Sequence, residues 1–217
     1  MTIELSDYNL YFNALLKGDR HNCIKLIDQL WEKKVPLHVI YEEVLKKALY
    51  QVGELWEENK ISVATEHLAS AISETIMNKL FLKLNVLYHS DKKVLAGCVE
   101  NEFHQIGIKM ICDMFEAKGY PTFFLGANTP KKDFMELARK INPDIIALSV
   151  SVFFHIPDLI KMIETIRNEF YETPILVGGQ GFRHGGKESL LRFENLTFME
   201  DTVAVEEYIN QLAYEQV

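Results

Sequence analysis

Cysteine is scarce in this chain: Cys23, Cys98 and Cys112 are the only three in 217 residues. Their number is odd and their spacing matches no metal-ligand pattern. That argues against structural zinc and disulfides and for reduced, mostly buried thiols. Positive charge is also in short supply. With 23 Lys and Arg against 31 Asp and Glu, the formal charge is −8 and the pI near 5.4. No basic run with interleaved aromatics occurs, so direct nucleic-acid binding is not expected. No apolar run approaches the ~18 residues of a membrane span, and the opening "MTIELSDYNLYF" has neither the basic nor the apolar region of a secretory leader. The sequence therefore predicts a cytoplasmic protein with no membrane partner. Neither G-x-G-x-x-G nor a Walker A pattern is present. What the chain does have is 48% hydrophobic residues and no low-complexity tract, enough for one large or two small domains.

The hydrophobic pattern changes once along the chain. From Leu5 to about Tyr88 it is helical, with Ile24, Ile27, Leu30 and Trp31 on one face and Leu45, Ala48, Leu49, Val52, Leu55 and Trp56 on another. "KGD" at Lys17 to Asp19 closes the first helix, Pro36 sits just inside the third, and Ser62 caps the fourth. Beyond "HSDKK", β-rich runs alternate with helical ones: "VLAGCV", "PTFFLG", "DIIALSVS", "PILVGG" and "LTFME", with helices at Ile106 to Lys118, Lys131 to Ile141, Pro157 to Phe170 and from Val203. Continuous apolar strands of this kind belong to a parallel sheet covered on both faces. We therefore expect residues 1–90 to form a four-helix bundle cap. Residues 91–217 should form an α/β domain with a flavodoxin-like or Rossmann-like parallel sheet.

Ligands of such sheets sit where loops leave the carboxyl ends of the strands. Three loops follow successive strands in the same sense and should converge there: "ENEFHQIG", "SVSVFFH" and "GGQGFRHGG". His104, a few residues past a strand end, can project over that edge. Glu102 is near enough in sequence to hydrogen-bond the imidazole nitrogen not used for ligation, which fixes the tautomer and raises basicity. The glycines of the third loop let a backbone approach a ligand closely, although a surface turn would use the same residues.

The E-x-H-x-x-G of Glu102, His104 and Gly107, the S-x-S of Ser149 and Ser151, and the paired Gly178 and Gly179 resemble the three signatures of cobalamin-binding domains, in that order. The resemblance covers essentially the whole chain, because methionine synthase and methyl-carrying corrinoid proteins also place a four-helix cap before the α/β domain. It implies that His104 is the lower axial ligand to cobalt and that the serine and glycine loops line the slot for the displaced nucleotide tail. Many members carry Asp where Glu102 stands. His155 lies where methionine synthase has a serine behind the ligand, so a second imidazole either supports His104 or competes with it. Phe153 and Phe154 are bulkier than the residues often found there, which would narrow the slot.

In the helical half, "WEENKISVATEH" is similar to the W-x9-E-H signature of CarH-type photoreceptors, matching at Trp56, Val63, Glu66 and His67. In that group these residues surround the upper 5′-deoxyadenosyl group, so the resemblance implies adenosylcobalamin. Departing from CarH, Trp56 is followed by Glu57 rather than histidine. The resemblance thus implies a light sensor without an attached DNA-binding domain, not an enzyme, that signals through self-association as a homo-oligomer or through a separate regulatory protein. Two alternatives stay open. One is a corrinoid carrier that holds methylcobalamin for methyltransferases. The other is a sensor of haem or a bilin, which a loop histidine under an apolar roof would also suit.

Overall fold

The protein is described from a computed structural model covering residues 3–214. It divides into two compact units, Met1–Asn85 and Val86–Val217.

The first unit is helical. Helix α1 (Leu5–Leu16) is followed by α2 (Arg20–Glu32), whose N-cap Asp19 accepts the Asn22 backbone N–H at 3.1 Å. A third rod runs without a break through α3 (Leu37–Ile40), a π-helical segment (Tyr41–Lys46) and α4 (Lys47–Glu57). Pro36 is the cap of this rod, one residue before the first helical position. Nothing in the side-chain periodicity marked the π segment, because its Tyr41, Val44 and Leu45 remain fully buried. Helix α5 (Val63–Lys83) starts at Ser62, whose hydroxyl accepts the Thr65 N–H at 3.2 Å, as the sequence predicts.

Two expectations for this unit need correction. The helical pattern does not continue to Tyr88: the chain turns extended at Leu84, and Leu87 and Tyr88 are exposed. With no surface to bury them, their apolar spacing cannot hold a helix. Trp56 also leaves the predicted buried face and is 46% exposed, because it sits in the last turn of α4 beyond the buried residues Ala48 and Val52.

The second unit is a five-stranded sheet, β1 (Val94–Cys98), β2 (Thr122–Phe124), β3 (Ile145–Ser149), β4 (Ile175–Gly178) and β5 (Leu196–Met199). The order is β2-β1-β3-β4-β5 and every pairing is parallel. All five residues of β1 and of β3 are buried, which is why these strands read as unbroken apolar runs rather than alternating ones. Helices α6 (Ile106–Ala117), α7 (Lys131–Ile141), α8 (Ile156–Arg167) and α9 (Thr202–Tyr214) connect or follow the strands. Leu95, Ile146, Leu148 and Val177 pack with Phe134, Leu159 and Ile163 in one core. A four-helix unit followed by a flavodoxin-like parallel sheet is the fold class that the sequence predicts. Because the chain leaves β1 for β2 on one side and returns to β3 on the other, strand order reverses between β1 and β3. That crevice is where ligands bind in open α/β sheets.

Candidate functional site

Both loops at the reversal point meet on one carboxylate. Glu102, in the turn after β1, is fully buried. Its Oε1 accepts the backbone N–H of His104 at 3.0 Å and the His104 ring Nδ1 at 2.5 Å. Its Oε2 accepts the N–H groups of Ser151 at 2.8 Å and Val152 at 3.0 Å, with Nδ1 of His155 at 3.2 Å. Burial opposes the charge on this carboxylate. The donors from His104, Val152 and Ser151 outweigh burial, and the pKa falls to about 2. An ionised carboxylate can only accept, so His104 carries its proton on Nδ1 and presents Nε2 for ligation. The His104 side chain is 58% exposed, so a buried anion holds an accessible imidazole in one tautomer.

Neighbouring contacts fix the turn itself. Cys98, at the end of β1, donates its thiol to the His104 carbonyl at 3.5 Å. Burial and the nearby Glu102 push that thiol up to about 12, so it stays protonated. Asn128, in the loop after β2, accepts the Asn101 N–H at 2.9 Å and donates its own N–H to the Glu102 carbonyl at 2.7 Å. Gln105 accepts the Ala127 N–H at 3.2 Å. Sequence reasoning missed Asn101, Gln105, Asn128 and the Val152 amide. Their one sequence signal is that Asn101 and Asn128 are asparagines in a loop, and both adopt positive φ, which Asn tolerates better than most residues.

The predicted serine and glycine positions also lie beside the reversal point. A Cβ on Gly107, in the first turn of α6, would lie 3.9 Å from the hydroxyl of buried Ser149. Gly178 pairs with Ser149 in the sheet. Gly179 has φ +117, and a Cβ there would fall 2.0 Å from the Val150 carbonyl oxygen. Gly179 therefore accepts little beyond hydrogen and Gly178 is tight, with a Cβ there 3.0 Å from the Met199 carbonyl oxygen, whereas Gly107 has ordinary room; the β3 and β4 loops approach each other through backbone. Phe153 and Phe154 are both exposed, with Phe154 the more so. Among the described residues no cluster of three or more His, Cys, Asp or Glu could hold a metal ion.

In the first unit, Trp56 lies in the last turn of α4 and Val63 begins α5, and Val63 is 51% exposed. Glu66 accepts from the His67 ring at 2.6 Å and from the Ser70 hydroxyl at 2.9 Å. His67 itself is exposed. Trp56, Val63 and His67 are thus surface residues of their unit rather than bundle core.

A parallel sheet with an anchored histidine at its reversal point and small residues along the adjoining strand ends, preceded in the chain by a helical unit, is the architecture of a class of α/β proteins that hold a ligand at the strand ends. Comparison with known families identifies which one: residues 92–208 match the B12 binding domain, and residues 8–80 match a second B12 binding domain model. The chain belongs to the B12-binding family, and cobalamin is its cofactor. Dimethylamine corrinoid protein 2 of Methanosarcina acetivorans is 26% identical over 180 residues, 81% of this chain and 80% of that protein. The HTH-type transcriptional repressor CarH of Myxococcus xanthus is 27% identical over 166 residues, 76% of this chain and 54% of the repressor. The structure of the Methanosarcina barkeri monomethylamine corrinoid protein superimposes with a TM-score of 0.80 at 14% identity, covering 98% of this chain and 99% of that one; it shows the shared fold. Haem and bilin gain no support from these relatives. Among the described residues, no helix is long and apolar enough to cross a membrane.

Proposed function

We propose that this chain is a cobalamin sensor that holds adenosylcobalamin, with His104 as lower ligand and Trp56, Val63, Glu66 and His67 around the upper adenosyl group. Bound there, cobalamin supplies a cobalt–carbon bond that light can break. Ser149, Ser151, Gly107, Gly178 and Gly179 line the tail slot in this reading, and Glu102 keeps Nε2 of His104 basic. The carrying observation is the exposure of Trp56 and Val63. Two exposed apolar side chains outside the bundle core, Trp56 on α4 and Val63 one turn before the hydrogen-bonded Glu66–His67 pair on α5, offer an aromatic face, an aliphatic contact and polar groups suited to an adenine and ribose. The output is altered self-association or altered binding of a separate regulator, because a ligand shifts assembly only by differing in affinity for the two arrangements.

Equilibrium binding in the dark of the adenosyl, methyl and aqua forms tests this reading. The adenosyl form should bind most tightly, and Trp56→Ala should erase that preference while the corrin still binds. Equal affinity for the three forms would sink the adenosyl pocket.

A methyl carrier serving methyltransferases is the second reading. It is favoured by the match to a dimethylamine corrinoid protein over 80% of that protein's length. Tightest binding of the methyl form, with methyl transfer to a thiol acceptor by a partner enzyme, would establish it instead.

A further inference from the structure

Between the end of α5 at Lys83 and the start of β1 at Val94 the chain forms neither helix nor strand, yet its second half is fastened. The backbone N–H groups of His89 and Ser90 both donate to the Gly119 carbonyl, each at 3.3 Å. Gly119 closes α6. Its N–H bonds the Glu116 carbonyl at 2.9 Å and that of Tyr120 bonds the Phe115 carbonyl at 3.1 Å, the pair of bonds that ends many helices on a glycine. Its φ is +81, and a Cβ there would fall 2.8 Å from the Leu87 carbonyl oxygen and 2.5 Å from His89 Nε2. Residues 87–90 therefore lie directly on a bare Cα. Burial, and then the nearby Glu116 carboxylate, push the pKa of the Tyr88 hydroxyl up, which sets that ring beside the last turn of α6. Ser90 is buried, and its Oγ accepts the Lys92 N–H at 3.2 Å. Leu87, Tyr88 and His89 stay exposed, so hydrogen bonds and close backbone contact hold the segment, not apolar burial.

We propose that residues 87–90 are a strap clipped to the C-terminal turn of α6, and that this strap sets the length of free chain joining the two units. Docked, it leaves residues 84–86 as the connector, with about 10 Å of reach at full extension. Released, it frees residues 84–90, with about 24 Å. A grip of two hydrogen bonds on one carbonyl, under exposed side chains, belongs to the low-stability end of a fold. The clip therefore opens without unfolding either unit. Its consequence for the cofactor rests on the adenosyl pocket proposed above, to which the first unit supplies Trp56 and its neighbours. The effective concentration of a tethered unit falls roughly as the −3/2 power of connector length, so release weakens the hold on the adenosyl group roughly fourfold.

The test uses the full chain and three variants. Gly119→Ala and Gly119→Asn both add the Cβ that meets the Leu87 carbonyl, and Asn tolerates positive φ, so the second separates that contact from the backbone cost. The third variant inserts Gly-Ser-Gly-Ser after Asn85. It adds as much free chain as the released strap does and leaves Gly119 alone. Amide hydrogen exchange in the cofactor-free proteins reads the clip: the His89 and Ser90 N–H groups should be protected in the wild type and the insertion variant, and exchange about 10-fold faster in both Gly119 variants. NMR relaxation should show the two units tumbling more independently in all three variants than in the wild type. Dark binding of adenosylcobalamin should weaken roughly fourfold in all three, with binding of the aqua form unchanged.

Unprotected His89 and Ser90 amides in the wild type would overturn the proposal, as would protection or tumbling that both Gly119 variants leave unchanged. Adenosylcobalamin binding that weakens in the Gly119 variants but not in the insertion variant would also overturn it, showing that Gly119 acts through the stability of its own unit and not through connector length. Equal wild-type affinity for the adenosyl and aqua forms would instead sink the adenosyl pocket, while exchange and tumbling would still decide the strap.

Discussion

At the scale of single residues, the site depends on a few atoms with no slack. His104→Ala should abolish the histidine-ligated spectrum and weaken cobalamin binding, since the proposed site holds one protein–cobalt bond; an unchanged spectrum and affinity would remove the lower-ligand assignment. Gly179→Ala tests the backbone approach. Its φ of +117 costs a side chain about 1–3 kcal/mol, and its Cβ would strike the Val150 carbonyl, displacing the segment whose Ser151 and Val152 amides hold Glu102. Gly185→Ala is the control, with φ +112 and nothing within 4 Å of the added Cβ. Both should lower the melting temperature, but only Gly179→Ala should also weaken cobalamin binding. Comparable binding in the two variants would show that the contact with Val150 is unimportant. Of this constellation, Glu102, His104, Gly107, the two serines, His155 and the glycine pair were all nameable from the sequence. The sharing of Glu102 between two imidazoles was not, because residues 102 and 155 are joined only through the pairing of β1 with β3.

At the scale of elements, the helical unit carries a buttress that reports on pH. Asp28 on α2 pairs with Lys79 and, at 2.6 Å, with Lys83 on α5. Burial raises its pKa, but the hydrogen bonds from the two lysines outweigh that and leave it below 3.8. A folded pKa below the unfolded one means that the unfolded chain binds the extra proton first. The stabilisation is therefore present above about pH 4 and lost as pH falls through the folded value. With the pair partly open to solvent, about 1 kcal/mol is the scale to expect. The stability difference between wild type and Asp28→Asn should hold steady from pH 7 to about 5 and shrink below about 4, measured by urea unfolding; a difference that grows in acid would contradict the pairing. On the neighbouring rod, Trp56→Ala should cost far less than the ~3–5 kcal/mol of truncating a buried tryptophan, because nearly half of Trp56 is exposed. A loss of that full size would return Trp56 to the core. Caps such as Ser62 were legible because they act within one turn of chain. The π segment and the end of α5 were not, because burial against other helices decides both.

At the scale of the whole molecule, the sensor reading makes assembly the observable. Illumination of the adenosyl-loaded protein should shift its size-exclusion profile or its affinity for a partner protein, and if neither responds to light, the carrier reading gains. The illuminated protein should also lack a second axial imidazole, since Glu57 follows Trp56 and a carboxylate oxygen does not reproduce imidazole ligation. A bis-imidazole spectrum that disappears in His67→Ala would refute this and identify His67 as the substitute ligand.

The sequence by itself determined the division into a helical and an α/β part, the strand succession and the residue types of the site. Each of these is written in local periodicity, in capping chemistry or in motifs a few residues long. Only the tertiary structure decided which loops share a carboxylate, that Trp56 lies outside the core, and that Asn128 after β2 clamps the turn bearing His104. Those outcomes depend on strand order. A 2-1-3-4-5 sheet brings the ends of β1 and β3 side by side, and no local pattern in a chain encodes which of its strands will be neighbours.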